Sequence, residues 1–165
     1  MTSGYDLFYN WFDILKAKGN DILGYVIMPN HLHSLIYYKN IAQSLNTMIG
    51  NGKRFIGYEL VKRLFLSQDH NLLKQMQLAV NNKDSQRGKK HQIWQPSFEA
   101  KECRTEKFIL QKLNYIHNNP CTPRWQLAEK PYQYPHSSAA FYNGNKKGYP
   151  IIDYEDVLSE VYSSE

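Results

Sequence analysis

Apolar positions along the chain change period several times, and each change predicts an element. Leu7, Trp11, Ile14 and Leu15 recur at helical spacing over Tyr5–Lys18, and Gly19-Asn20 stops that helix. Ile22–Met28 and His31–Tyr38 read as two antiparallel strands around a Pro29-Asn30 turn, or as one strand with these turn residues as an irregular entry. Leu45, Met48, Ile49, Phe55, Ile56, Leu60, Val61 and Leu64 predict a helix over Ile41–Leu66, interrupted or kinked near Gly50-Asn51-Gly52, with His70–Val80 continuing it. Asn81–His91 is polar and basic, hence an exposed loop. Gln92–Lys101 reads as a strand in which Pro96 marks an edge or bulge. Arg104–Asn118 is a helix ended by Pro120, and Tyr154–Tyr162 is an acidic helix after loops around Pro131, Pro135 and Pro150. The order α-β-β-α-(α)-β-α is that of an α+β fold, an antiparallel sheet with helices packed mainly on one face.

At 165 residues the chain fits one domain able to bury roughly 70% of its unfolded surface, and 14% aromatic content argues against disorder. The longest apolar run, Ile22–Met28, is far short of the ~20 residues of a spanning helix. The opening MTSGYDLFYNWF lacks the basic and apolar regions of a signal peptide. Cys103 and Cys121 make neither a zinc framework nor a disulfide scaffold, so the expectation is a reduced, soluble, cytoplasmic protein without a membrane partner. Net charge is +5, unevenly spread: residues 53–112 hold 13 Lys or Arg against 6 Asp or Glu, whereas residues 113–165 hold 4 against 6. A basic middle of this kind suits either a polyanion-binding face or a solvated helical one.

Two constellations carry chemistry. His31 and His33 are one residue apart, so on a strand both imidazoles leave one face, a workable two-ligand site for a divalent metal. Six histidines in a chain of this length give such a pair by chance with probability of about 0.2, so alone it reads as two partly exposed structural histidines. The second constellation is Tyr115-Ile116-His117-Asn118-Asn119-Pro120. Ile109, Leu113 and Ile116 form a buried stripe; Tyr115 lies about 200° around the helix from Leu113, and Asn119 shares its face if the last turn survives Pro120.

Taken together, IMPNHLHSLI and YIHNNP resemble the His-hydrophobe-His (HUH) segment and the tyrosine helix of REP-associated tyrosine transposases, within the single-tyrosine HUH transposase superfamily. Ile93–Phe98 is similar to that family's Trp-Gln strand, and Tyr134–Ser138 (YPHSS) to its Ser-Ser segment, with His136 where relatives often carry Trp. The similarity runs in the family's order from about Leu23 to Tyr142. It implies a ferredoxin/RRM-like HUH fold over residues 1–165, with a C-terminal tail from about 143. The family's usual first strand has no counterpart in MTSG, which is too short to supply it, so the resemblance leaves an expectation of a sheet without that strand.

The resemblance further implies that Tyr115 is the nucleophile and that His31, His33 and Asn119 hold Mg2+ or Mn2+. The activity implied is cleavage and rejoining of single-stranded DNA through a 5′-phosphotyrosine, in DNA transposition or hairpin-repeat processing. A tyrosine hydroxyl ordinarily titrates near pH 10, so such a nucleophile needs help from the site. The partner implied is single-stranded DNA with hairpin or palindromic repeats, in a bacterial cytoplasm and nucleoid-associated when bound, with a monomer or a homodimer as the working unit. Lys53, Arg54, Lys62, Arg63, Arg87, Lys89 and Lys90 are the DNA-binding candidates, while Phe55 and Trp94 read as core rather than stacking platforms. Two alternatives stand beside this reading: an inactive or domesticated hairpin-binding relative, and a replication-initiator nickase sharing the His-x-His pair.

Overall fold

A computed structural model describes residues 4–39, 44–95, 98–145 and 148–163. The chain is α+β. The described residues form α1 (Tyr5–Ala17), β1 (Asp21–Ile27), β2 (Leu32–Tyr37), α2 (Leu45–Leu66), α3 (His70–Leu78), α4 (Asn82–Gln86), α5 (Glu106–Asn118), α6 (Ala139–Tyr142) and α7 (Tyr154–Tyr162). Short 3₁₀ turns lie at Asn119–Cys121 and Pro131–Gln133. No described helix is long and apolar enough to cross a membrane. The chain divides into two compact units, Met1–Trp11 with Ala42–Ala100, and Phe12–Ile41 with Lys101–Glu165.

In the first unit, α2 runs unbroken through Gly50-Asn51-Gly52, where an interruption was expected. Gly52 serves close approach instead: a Cβ there would come within 2.4 Å of Trp11 Nε1. Ser44 caps α2 by accepting the Thr47 N–H, and Asp69 caps α3 by accepting that of Leu72. The expected loop over 81–91 contains α4, because Asn81 Oδ1 accepts the Asp84 N–H at 2.8 Å and nucleates a turn. The expected strand over 92–101 is absent from its described residues, and Pro96 lies outside them. Its polar groups find helices instead: the Gln92 N–H donates to Met76 O, Trp94 Nε1 donates to Lys53 O, and Lys53 Nζ donates to Gln95 O. The sheet among the described residues therefore has two strands. Phe55 is a further correction: its ring is 61% exposed, with the Arg54 guanidinium 5.5 Å from its centroid.

The second unit is built on β1, whose Ile22, Leu23, Tyr25, Val26 and Ile27 are all buried. One edge pairs antiparallel with β2, in a register that places Val26 opposite His33 and shifts between Ile22 and Gly24. The other edge is met by irregular chain. Ile27 N–H donates to His136 O (2.9 Å), Ser138 N–H to Tyr25 O (3.0 Å), and Ile152 N–H to Ile22 O (3.0 Å). The hydroxyls of Tyr134 and Tyr142 donate to Ile27 O and Leu23 O. Helix α5 packs over β1, with Leu113 seated where a Cβ on Gly24 would come within 2.4 Å of it. Tyr154 and Val157 of α7 complete that core with Leu23, Ile109 and Leu113, so the chain beyond residue 143 contributes to packing.

A polar tie fixes α5 to β1. Tyr25 N–H donates to Ser138 Oγ (2.9 Å), and the same hydroxyl is hydrogen-bonded to His117 Nε2 at 2.8 Å. Burial pushes the pKa of His117 down from 6.5 to about 4. The unfolded chain takes up this proton below about pH 6.5 but the native state only near pH 4, so stability is full above that window and falls as pH drops through it. The loss across the window is about 3 kcal/mol. His117→Gln, which can still reach Ser138, is expected to lose less stability than wild type between pH 7.5 and 4.5 in urea unfolding; an equal acid loss in the variant would contradict this account.

Candidate functional site

The second unit gathers the four residues singled out by the sequence. Met28 N–H donates to His31 O at 2.8 Å, closing the hairpin around Pro29-Asn30 and setting His31 at the mouth of β2. His33 follows on the same face, and the two imidazole centroids are 4.9 Å apart. Asn30 Oδ1 lies 2.6 Å from His31 Nδ1 and can only accept, so Nδ1 carries the proton and Nε2 keeps its lone pair. Asn30 thus fixes the tautomer a metal ligand needs, a role not assigned to it from sequence.

Thr105 caps α5 by accepting the Phe108 N–H, and the helix buries Ile109, Leu113 and Ile116. Tyr115 on the other side is 58% exposed, and its ring meets that of His33 edge-on at 5.2 Å. The helical direction survives into Asn119, whose φ of −53° and ψ of −46° stay in the right-handed region despite Pro120. Its side chain turns inward rather than into solvent, leaving the residue 7% exposed.

Three influences act on His31. Burial lowers its pKa most; the Asn119 amide opposes this, and the positive charge of Arg124 adds to it. The Asn119 amide therefore lies at the His31 ring, yet among the described residues no hydrogen bond of normal geometry reaches Asn119 Oδ1, which is buried. Beside the His31 imidazole, which itself faces that of His33, this oxygen fits the third ligand of a divalent cation, which would satisfy it. Among the described residues no three His, Cys, Asp or Glu side chains gather, so this donor set is two nitrogens and an amide oxygen.

The sequence reading left His117 and Ser138 without a role; they form the tie between α5 and β1. It also passed over Arg124 and Trp125, which border His31. The Trp125 ring is 5.5 Å from that imidazole, and the Arg124 guanidinium is 5.6 Å from the Trp125 ring. Nothing periodic marks Thr122–Lys130, although an aromatic beside an arginine in a polar stretch was a usable signal.

The seven basic candidates all belong to the first unit. Arg63 forms a close pair with Asp6 and lies 3.7 Å from Glu59, which also faces Lys62 at 3.7 Å. Lys53 is turned onto Gln95 O, Arg54 reaches Asn51 Oδ1, and Lys89 faces Asp84 at 3.3 Å. Arg87, Lys89 and Lys90 are exposed around the end of α4. Comparison of the chain with protein-family models, curated proteins and solved structures finds no match.

If His31, His33 and Asn119 share one cation, Mn2+ titrated into the full chain binds more weakly in His33→Ala, with the far-UV spectrum unchanged. Asn119→Asp, which adds a negative charge to a neutral donor set, should bind roughly tenfold more tightly. Equal Mn2+ affinity in wild type and both variants would exclude these residues as ligands.

Proposed function

We propose that this protein is a single-stranded DNA transposase or endonuclease that cuts and rejoins DNA through Tyr115, of the kind its sequence resembles, on an HUH-type fold. The observation that carries the reading is the meeting of an exposed tyrosine with the His31–His33 pair, 5.2 Å from the His33 ring, beside the orphaned oxygen of Asn119. A surface tyrosine needs no such neighbours. A nucleophile attacking a phosphodiester does, because both phosphate charge and phosphate position must be controlled.

In this reaction the Tyr115 hydroxyl attacks the phosphorus in line and gives up its proton. The bond from phosphorus to the departing 3′ oxygen breaks, and that oxygen leaves as a 3′-OH after taking up a proton. The product is a 5′-phosphotyrosine that keeps the energy of the phosphodiester, so rejoining to another 3′-OH requires no nucleotide triphosphate. A divalent ion, Mg2+ or Mn2+, held by His31, His33 and Asn119, would neutralise charge on the non-bridging oxygens. Asn30 holds the His31 tautomer, and His117 with Ser138 holds the helix that carries Tyr115.

Tyr115→Phe keeps the ring and its edge contact with His33 while removing the nucleophilic oxygen. Mass spectrometry of peptides after reaction with hairpin-bearing suicide oligonucleotides is expected to find the adduct on Tyr115 in wild type and none in the variant. An adduct on another residue, or equal yield from the variant, refutes the assignment. No adduct from wild type with several hairpin substrates, together with retained DNA binding, would favour a non-cleaving hairpin-binding protein.

Affinity for single strands is proposed to draw on the exposed cations around α4. Neutralising Lys89 and Lys90 together should weaken binding and lower the slope of log K against log salt by roughly 0.7 per lost phosphate contact. An unchanged slope would return these lysines to a solvated surface.

A further inference from the structure

The chain leaving Asn119 is held far more firmly than a connecting loop requires. Thr122 Oγ1 donates to Asn119 O (2.9 Å), Trp125 and Gln126 N–H both donate to Thr122 O (3.0 Å each), and Leu127 N–H donates to Pro120 O (2.9 Å). Gln126 sits at a φ of +47°, a left-handed conformation that a residue with a Cβ adopts only when its surroundings enforce it. This turn holds Trp125 against His31, with Arg124 beside it. Trp125 is anchored at one side on the cluster of Val26, Met28, Ile116 and Tyr134 and remains only half-buried. Its ring borders His31, and the exposed Arg124 guanidinium lies over it. Ordinary core packing explains an anchored tryptophan. It does not explain a strained turn that brings an aromatic ring to the edge of the His31 imidazole with an exposed cation beside it.

We propose that Arg124 and Trp125 form a nucleotide subsite for single-stranded DNA, in which Trp125 stacks on a base flanking the scissile phosphate and Arg124 binds an adjoining phosphate. This subsite rests on the reading of single-stranded DNA as substrate. An indole offers a face to any base, so the subsite is tolerant of sequence, and its contribution is to hold the strand in register across Tyr115. The guanidinium suits a phosphate because it is a planar donor fork, and a base that takes the ring face it covers in the free chain releases it to the adjoining phosphate.

The test compares two fluorescein-labelled strands of equal length and charge, dT20 and a fully abasic 20-mer, bound to the full chain and followed by anisotropy. Wild type is expected to prefer dT20. Trp125→Ala should lower dT20 affinity roughly tenfold, as for one stacked base, and leave the abasic strand unaffected. Trp125→Phe, which keeps a ring in the anchored position, should retain most of the preference; far-UV spectra establish that both variants fold. Arg124→Ala should weaken both strands and reduce the salt slope by about 0.7. Equal binding of the two strands by wild type, an undiminished preference in Trp125→Ala, or an unchanged slope in Arg124→Ala overturns the subsite. Such a failure with the Tyr115 adduct intact leaves the proposed reaction standing, whereas loss of all single-strand binding by wild type overturns both.

Discussion

The placement of Tyr115 beside the histidines depends on the hydrogen-bonding demand of β1. Its apolar side chains are buried, so water cannot serve its backbone groups, and both edges need partners within the chain. The hairpin to β2 satisfies one edge and in doing so sets His31 and His33. Tyr134, His136, Ser138, Tyr142 and Ile152 satisfy the other with a mixture of main-chain bonds, tyrosine hydroxyls and one serine. Because that serine also reaches His117, meeting the demand of the strand fixes the helix that carries the tyrosine. One buried strand therefore orients the histidines from one edge and the candidate nucleophile from the other.

The site combines neutral groups with one nearby charge. His31 is held by Asn30 on one nitrogen and is disfavoured as a cation by burial and by Arg124. Its partner oxygen on Asn119 is uncharged and unsatisfied. Such a set is poised to receive something that brings positive charge to the donors and negative charge toward the arginine. A phosphate with its counter-cation has that composition, which is why the geometry and the proposed chemistry are compatible.

Much of this was legible in the sequence, and the exceptions share a cause. Periodicity located α5, whose stripe of Ile109, Leu113 and Ile116 is clean, and the apolar run Ile22–Met28 with its Pro29-Asn30 turn located β1 and β2. The outward face of Tyr115 followed from its angle to Leu113. Errors arose where a residue has two physical uses. Gly52 has the character of a breaker but permits the approach of Trp11; Asn81 has the polarity of a loop but caps α4. Trp94 and its neighbours have strand-like composition, yet their polar atoms are taken up by α2 and α3. The role of Ser138, 21 residues from His117, was beyond any local pattern because it exists only once two distant segments meet.

The same pairing closes the intervening chain into a ring without a covalent bond. His117 and Ser138 pin its two ends, and the bond from Leu127 to Pro120 staples a smaller circuit inside it. Closing a segment of this length costs entropy that grows only slowly with added residues. Length can therefore be inserted in the exposed stretch near Glu129-Lys130 at little energetic expense, while the stapled portion from Pro120 to Leu127 is the part that resists change. Variation within this segment is thereby partitioned: its far side is free to lengthen or be nicked, and the side facing the histidines keeps its shape.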